Sequence, residues 1–490
     1  MNYLNFSKYI DLNKWDFFAL INVVIVFFYF PVVADEAYFM TWGEQLSLGY
    51  YDHPGLTGWF AYPFSEYQNR EWFLRALSVF AYLTIFFMIK VVGKDASSSA
   101  ATAWAILPLN FIFFGLYLND TWSYFFSILF VFVVGFNFKR TTLIKSILAG
   151  VFLGLALNSK YISAFYAISY VITLIILRDW FKFRRELPIV VFVSSVIFSL
   201  NIYWNLNNCN VNFAFNFFSR GKDFSGSGVL EFVGSLILIS FPVVLLFLKN
   251  IYMHRRINFF GCMFIVSILL MALTSLLVGG FGTHWAMPIG ALLALGLAGY
   301  PNTGVTFLSK LYATAGSVVL CVMLIVINGV YDFGLKFPAD LIRSIDFYDD
   351  LTSGEIERAI NNSARDFKIV TPNYSLNSML RNNGVDSFVM FTTSKYGRNQ
   401  DLFDNPSAFD GMNLLIISDT DNPILSDYQQ YFSGEVRRVS LHTETRSYAA
   451  ITGIRFDYDA YEVGHMRKIF KEYYDHPVNK VAICFMDRFY

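Results

Sequence analysis

Charge is scarce in this chain: only 15% of its 490 residues are Asp, Glu, Lys or Arg, against 55% that are hydrophobic. Soluble domains carry roughly 25% charged residues, so most of the chain must face lipid or a core buried within lipid. Net charge is zero at neutral pH, which argues against a nucleic-acid partner. Cysteine is sparse too. Cys209, Cys262, Cys321 and Cys484 are the four present, none at metal-ligand spacing. A Cys209–Cys484 disulfide would need both thiols on an oxidising side, and the sequence gives little reason to expect one. No HExxH, CxxC or Ser-His-Asp elbow is found, so protease and structural-zinc readings lack support. A Gly-rich phosphate loop is also missing. Lys8 and Lys14 precede an apolar run too long for a signal-peptide core and without a small-residue cleavage site, so that run is expected to stay as an anchor.

What the chain has is apolar length. A helical span needs roughly 20 apolar residues, and by that measure eleven runs qualify: 15–33, 72–92, 97–117, 122–138, 142–158, 161–178, 187–204, 228–248, 257–278, 285–300 and 305–329. Fifteen Lys and Arg, from Lys8 to Lys310, fall in the loops on the N-terminal side. Only Arg70, Lys160, Arg220 and Lys222 fall in the opposite ones. The positive-inside rule then puts the N-terminus in the cytoplasm, and eleven spans put everything after Tyr331 outside. The fold class expected is a mainly α, polytopic membrane protein, with a membrane domain over 1–335 that carries an outer loop at 34–71. A small soluble α/β domain follows over 340–490. Strand-like runs there are Phe367–Val370, Ser387–Phe391, Asn413–Ile417 and Ala449–Phe456, alternating with helical stretches at 353–365, 375–383 and 461–473. Tyr-Tyr-Asp-His-Pro occurs at 50–54 and again at 473–477, without surrounding similarity, and the second copy reads as coincidence.

The segment Asp35–Trp59 is the richest in chemistry. Asp35 and Glu36 sit among aromatics at a membrane edge, where partial desolvation raises carboxylate basicity and suits a general base. The plainer alternative is that Asp35 caps an amphipathic surface helix, Ala37–Leu48. Asp120 opens the fourth span and reads equally as an N-cap or as a second acid. Lys160, between two spans on the outer side, opposes the charge bias; a phosphate partner or snorkelling to water would each account for it. His53, before Pro54, suits a phosphate contact or a turn hydrogen bond. Arg75, one turn into the second span, needs an anion. Arg70 reads as a solvated interface residue, Arg220 and Lys222 as cations able to close over an anionic donor, and His284 and Trp285 as interfacial aromatics. These groups gather at the outer face, where no ATP is expected, so a group-transfer enzyme there needs an activated, membrane-borne donor.

These residues, taken together, resemble the GT-C membrane glycosyltransferases, and more narrowly the bacterial family 39-like group of protein O-mannosyltransferases and lipid A aminoarabinose transferases. The resemblance rests on Asp35-Glu36-Ala37-Tyr38 with Gly49-Tyr50-Tyr51-Asp52-His53-Pro54, Asn119-Asp120, and Gly154-Leu155-Ala156-Leu157-Asn158-Ser159-Lys160-Tyr161. Trp204-Asn205 through Phe213 and Phe215 to Ser219-Arg220-Gly221, Leu230-Glu231-Phe232, and His284-Trp285-Ala286-Met287-Pro288 complete it. Two departures stand out: Pro54 is followed by Gly55, and Asn208-Cys209-Asn210-Val211 replaces a His-Asp-Trp-like run. The resemblance implies a polyprenyl-phosphate-linked sugar donor and a lipid or glycan acceptor such as lipid A or lipopolysaccharide, with inversion at the anomeric carbon. It implies a bacterial inner-membrane enzyme with Asp35, Glu36 and Asp120 in catalysis, and Lys160, His53, Arg75 and Arg220 on the donor phosphate. Tyr51, Asp52, Trp204, Asn205, His284 and Trp285 would line the substrate. No cofactor is required and no metal ligands are assigned, although a divalent metal is compatible with these residues. A protein O-mannosyltransferase-type enzyme, a transporter or flippase, and a non-catalytic scaffold are the alternatives. A transporter would place its ionisable groups near mid-span, and a scaffold leaves 35–54 without a purpose.

Overall fold

The computed structural model describes residues 12–67, 69–93, 99–136, 142–219, 227–278, 282–300, 305–327, 347–392, 399–417, 424–444, 446–475, 477–478 and 483–484. Helix covers most of each of the eleven apolar runs, but several runs are not straight spans. Among the described residues, five helices are long and apolar enough to cross a membrane alone, and the number rises to eight if each of three bent pairs is one span. The difference from eleven lies at the breaks and in two shorter apolar helices, Tyr161–Ile176 and Thr283–Ala298. α1 (Lys14–Tyr29) stops before Pro31 and turns by 75° into α2 (Ala34–Thr41). The run 97–117 divides into α5 (Ser99–Ala105) and α6 (Pro108–Gly115), because Pro108 lacks an N–H and suits only a first helical turn. α6 then turns by 111° into α7 (Asn119–Gly135), and α12 (Ser227–Ser240) bends by 82° at Pro242 into α13 (Val243–His254).

Between α2 and α4 (Arg70–Val92) lies α3 (Leu56–Ala61). Further on come α8 (Thr142–Ser159), α9 (Ala164–Ile176), α10 (Leu187–Leu206), α11 (Val211–Ala214), α14 (Phe259–Val278), α15 (Met287–Ala298) and α16 (Phe307–Ile327). α15 is apolar on every side and buried along its whole length, as expected for a helix at the centre of a bundle. α10 and α16 leave most of their apolar surface uncovered, the pattern of helices that face lipid.

The C-terminal part holds a five-stranded sheet in the order β2-β1-β3-β5-β4. β1 (Lys368–Thr371) pairs in parallel with β2 (Ser387–Val389) and β3 (Leu414–Ile417), while β5 (Ser447–Gly453) runs antiparallel to β3 and to β4 (Val436–His442). Four strands lie where the alternation predicts them. β4 escapes the pattern, because Val436-Arg437-Arg438-Val439 is half charged; such composition suits an edge strand. Successive residues of β3 enter opposite cores, Leu414 and Ile416 on one face, Leu415 and Ile417 on the other. The first of those cores continues into Tyr51, Trp204, Val211 and Phe215 of the membrane part.

Candidate active site

Helix ends build the site, because they release backbone groups that need partners. At the end of α1 the carbonyls of Phe27, Phe30 and Pro31 accept from the Arg75 guanidinium at 2.9, 2.9 and 3.3 Å. The remaining Arg75 donors reach the Glu36 carboxylate, Nε to Oε1 at 2.8 Å and Nη2 to Oε2 at 2.6 Å. Oε1 of Glu36 also accepts the Tyr117 N–H at 2.8 Å, a group set free by the break between α6 and α7. Arg75 and Glu36 are both buried, at 2% and 0% exposure. With all five N–H groups engaged, Arg75 has none left for a donor phosphate, and Glu36 is held as its counter-ion. Both residues join α1, α2, α4 and the α6–α7 break, and these contacts occupy the groups on which the expected phosphate role of Arg75 and catalytic role of Glu36 depend.

Asp35 lies in the first turn of α2 and is exposed. Val33, not Asp35, is the N-cap. The surface-helix alternative also falls, since Glu36 to Thr41 are buried and α2 ends at Thr41, well short of Leu48. One turn further, Tyr38 donates to Asp52 Oδ1 at 3.2 Å. The segment 49–54 forms a tight turn in which Gly49 bridges Pro54 and the Tyr50 N–H donates to the His53 carbonyl at 2.9 Å. Tyr50 donates to the carbonyls of Trp42 (2.7 Å) and Gln45 (3.0 Å), and burial holds its phenol well above the ordinary range. His53 is buried in this turn beside the rings of Phe39 and Trp42.

Lys160 and Asp120 meet directly, Nζ to Oδ1 at 2.6 Å, with both side chains largely buried. Lys160 therefore does not snorkel to water, and Asp120 sits inside the first turn of α7 rather than at its cap, which is Leu118. Neighbouring Asn119 accepts from Thr57 of α3 and from Ser159 at 3.3 Å, and Tyr117 donates to the Thr57 carbonyl. One hydrogen-bonded network thus runs from Glu36 through Tyr117 and Thr57 to Asn119 and Ser159, whose chain neighbours Asp120 and Lys160 form the ion pair.

Tyr51, Trp204 and Asn205 have protein partners. Tyr51 packs its ring on Phe215 (5.5 Å) and on Tyr474 (6.0 Å). The second Tyr-Tyr-Asp-His-Pro copy therefore touches the first. Trp204 lies over Gly49, where an added Cβ would stand 2.5 Å from its ring. Asn205 donates to the Asn201 carbonyl at 2.9 Å and accepts the Phe213 N–H at 3.3 Å. Asn212 and Asn216 reach back to the carbonyls of Tyr50 and Asp52 at 2.9 and 2.7 Å, drawing 211–219 onto the 49–54 turn. His284 and Trp285 open α15 in a short helical turn, and Thr283 there bonds Ser235 of α12 at 2.9 Å. Arg220 and Lys222 lie outside the described residues. Among the described residues no three His, Cys, Asp or Glu side chains gather to hold a metal ion.

One grouping escapes the sequence reading, and one pairing that the sequence gives little reason to expect is formed. Arg70 is buried rather than solvated and pairs with Glu44 at 2.9 Å. Cys209 and Cys484 form a disulfide, which joins the loop after α10 to the C-terminal segment. Neither partner can be found from spacing, since Cys209 and Cys484 are 275 residues apart.

This arrangement has known counterparts. A family model described as dolichyl-phosphate-mannose-protein mannosyltransferase matches residues 52–204. ArnT of Cupriavidus metallidurans, solved bound to undecaprenyl phosphate, superposes with a TM-score of 0.61 at 14% identity, covering 89% of this chain and 98% of that one. The fold is that of ArnT. The apo structure of the same ArnT agrees, with a TM-score of 0.59 at 13% identity over 89% of this chain and 96% of that one. A curated lipid A galacturonosyltransferase, RgtD of Rhizobium johnstonii, is 24% identical over 186 residues, 36% of this chain and 39% of that protein. The chain thus aligns with well under half the length of RgtD. The ArnT-like fold agrees with the expected class of a mainly helical, polytopic membrane protein.

Proposed function

We propose that this protein is a glycosyltransferase that moves a sugar from a polyprenyl-phosphate donor to a hydroxyl of a lipid A-type acceptor at the outer face of the bacterial inner membrane. The Asp35 carboxylate takes the proton of the acceptor hydroxyl. The oxygen attacks the anomeric carbon as the bond from that carbon to the phosphate oxygen breaks. Polyprenyl phosphate leaves with the electron pair, and the anomeric configuration inverts. The lysine ammonium of the Asp120–Lys160 pair faces the negative charge that grows on the departing phosphate, where stabilisation matters most.

The observation that carries this reading is the largely buried Asp120–Lys160 pair, set beside the Asn119–Ser159 end of a hydrogen-bonded network whose other end, Glu36, neighbours the exposed Asp35, within an ArnT-like fold. The relatives bear on the substrates: one is named as a lipid A galacturonosyltransferase, and another was solved with undecaprenyl phosphate. The Cys209–Cys484 disulfide bears on the side, because such bonds persist in oxidising compartments. It supports an outer C-terminal segment and a cytoplasmic N-terminus, in agreement with the basic-residue bias.

The test is sugar transfer by purified Asp35→Asn, using lipid extracts of the native membrane as donor and lipid A as acceptor. Loss of a positioned base typically costs about 10²–10⁴-fold, so turnover should fall by at least the lower figure while the protein stays folded. Near-normal turnover would remove Asp35 as the base. Mass spectrometry of lipid A from a deletion strain identifies the sugar, and an unchanged lipid A profile would reject the acceptor.

A further inference from the structure

The outer segment grips α2 along its whole length. At the start of the helix, Tyr348 makes a hydrogen bond with the Val32 backbone. In the middle, the Tyr374 ring packs on Tyr38 at 4.8 Å. Beyond its end, Glu44 is held from two sides. Arg70 of α4 donates to Oε1 at 2.9 Å, and Arg381, in the helix Tyr374–Asn382, donates twice to Oε2 at 2.9 and 2.7 Å. The two arginines are fixed in turn: Arg70 Nε reaches Asn382 Oδ1 at 3.1 Å, and Arg381 Nη1 reaches the Ser387 carbonyl at 3.2 Å. Arg70, Arg381 and Asn382 thus place their donors and acceptors around one carboxylate with only 21% side-chain exposure. A carboxylate that takes three charge-assisted bonds in a partly desolvated place is a strong joint.

We propose that Glu44 is a positioning residue: gripped by Arg70 from the membrane part and Arg381 from the outer part, it fixes α2, and with it Asp35, against the outer segment. This inference rests on the glycosyltransferase reading for its purpose, but the joint itself can be tested without any sugar. The outer segment then belongs to the catalytic unit. α2 alone is only eight residues long and has no side-chain cap, so its orientation depends on what holds its two ends. Arg75 and Glu36 hold the first end within the membrane part. Glu44 holds the second end, and it does so through the outer segment.

The experiment uses the full-length protein in detergent with Asp35→Cys as a reporter, labelled by a charged maleimide. Cys262 is buried, the other two cysteines are disulfide-bonded, and the exposed Cys321 is replaced by serine throughout (Cys321→Ser), so labelling reads position 35. Adding Glu44→Gln or Arg381→Gln should accelerate labelling by about fivefold or more as the helix loosens. Arg381→Lys, which keeps the charge but not the fork, should restore most of the wild-type rate. Arg381→Gln leaves the Arg70–Glu44 pair intact, so it decides the matter if Glu44→Gln fails to fold. Unchanged labelling in Glu44→Gln and Arg381→Gln, with melting temperatures like the parent's, would overturn the proposal. Undecaprenyl phosphate is added in a separate arm. If it gives the introduced thiol no protection while the joint is intact, the donor assignment fails, and the role of Glu44 is still decided by the labelling rates.

Discussion

Arg75 and Lys160 show what a lone cation in an apolar run can and cannot reveal. Arg75 is legible as a residue that needs an anion, and Lys160 as one that needs either an anion or a path to water, because an unpaired charge in lipid is costly. The partner is not legible. Arg75 meets Glu36 and three carbonyls inside the protein, while Lys160 meets Asp120 at the site. Removing one member of a buried pair strands the other, at about 3–5 kcal/mol. Arg75→Ala should therefore lower thermal stability in detergent severely, whereas Asp35→Asn should leave it nearly unchanged. Equal melting temperatures for Arg75→Ala and the parent would show that the carbonyl and carboxylate contacts are dispensable. Lys160→Gln should instead weaken undecaprenyl phosphate binding in a titration, and an unchanged affinity would reject the phosphate role. Glu44 escapes a sequence reading because nothing in its neighbourhood marks it; its partners are 26 and 337 residues away.

At the scale of elements, apolar periodicity locates the helices but not their breaks. The run 97–117 and its successor read as two spans, yet Pro108 and the 116–118 turn give three helical pieces. The N–H released at Tyr117 is the use the protein makes of that turn. Glycines mark the tightest approaches between elements. A methyl group at Gly58 of α3 would overlap the Tyr50 phenol, which is already fixed by two carbonyls. Gly58→Ala should destabilise by about 1–3 kcal/mol, the usual cost of overpacking, and should shift the 49–54 turn. Thermal unfolding checks the first and Asp52→Cys labelling the second; a neutral substitution would mean that Tyr50 moves aside cheaply.

Over the whole molecule, the C-terminal segment is tied to the membrane part by the Glu44 joint, by Tyr51 against Tyr474, and by the Cys209–Cys484 bond. A disulfide that closes a long loop stabilises by about 2–5 kcal/mol, so Cys484→Ser should lower the melting temperature. Reduction of the native protein should lower it equally. The sheet has its own pH dependence. A cavity of about 40 Å³ is lined by Gln400, Asp401, Asp404, Tyr461 and His465. Burial raises the Asp404 carboxyl from 3.8 to about 7, partly opposed by Arg381, and burial lowers His465 from 6.5 to about 4. Between those values the folded Asp404 keeps a proton that the unfolded chain has lost, so its contribution weakens stability as pH rises towards 7. His465 acts oppositely: the unfolded chain binds the extra proton, so stability falls as pH drops from 6.5 to 4. The two slopes offset each other across their shared range. Asp404→Asn should leave only the histidine slope, with stability rising from pH 4 to 6.5 and then level. Melting curves across that range check this, and a flat profile in the variant would contradict it.

The sequence by itself determined the helical membrane character, the strands β1, β2, β3 and β5, and the chemistry concentrated in 35–54 and at 119–120 and 160. Each of these follows from local composition or a short period, and such signals survive without knowledge of neighbours. Only the tertiary structure decided which charges meet. It joined Glu36 to Arg75, brought Asp120 to Lys160, paired Cys209 with Cys484, and set Arg381 on Glu44. The reason is range: an ion pair forms within about 4 Å, and nothing in the order of residues states which distant carboxylate a folded chain will bring that close.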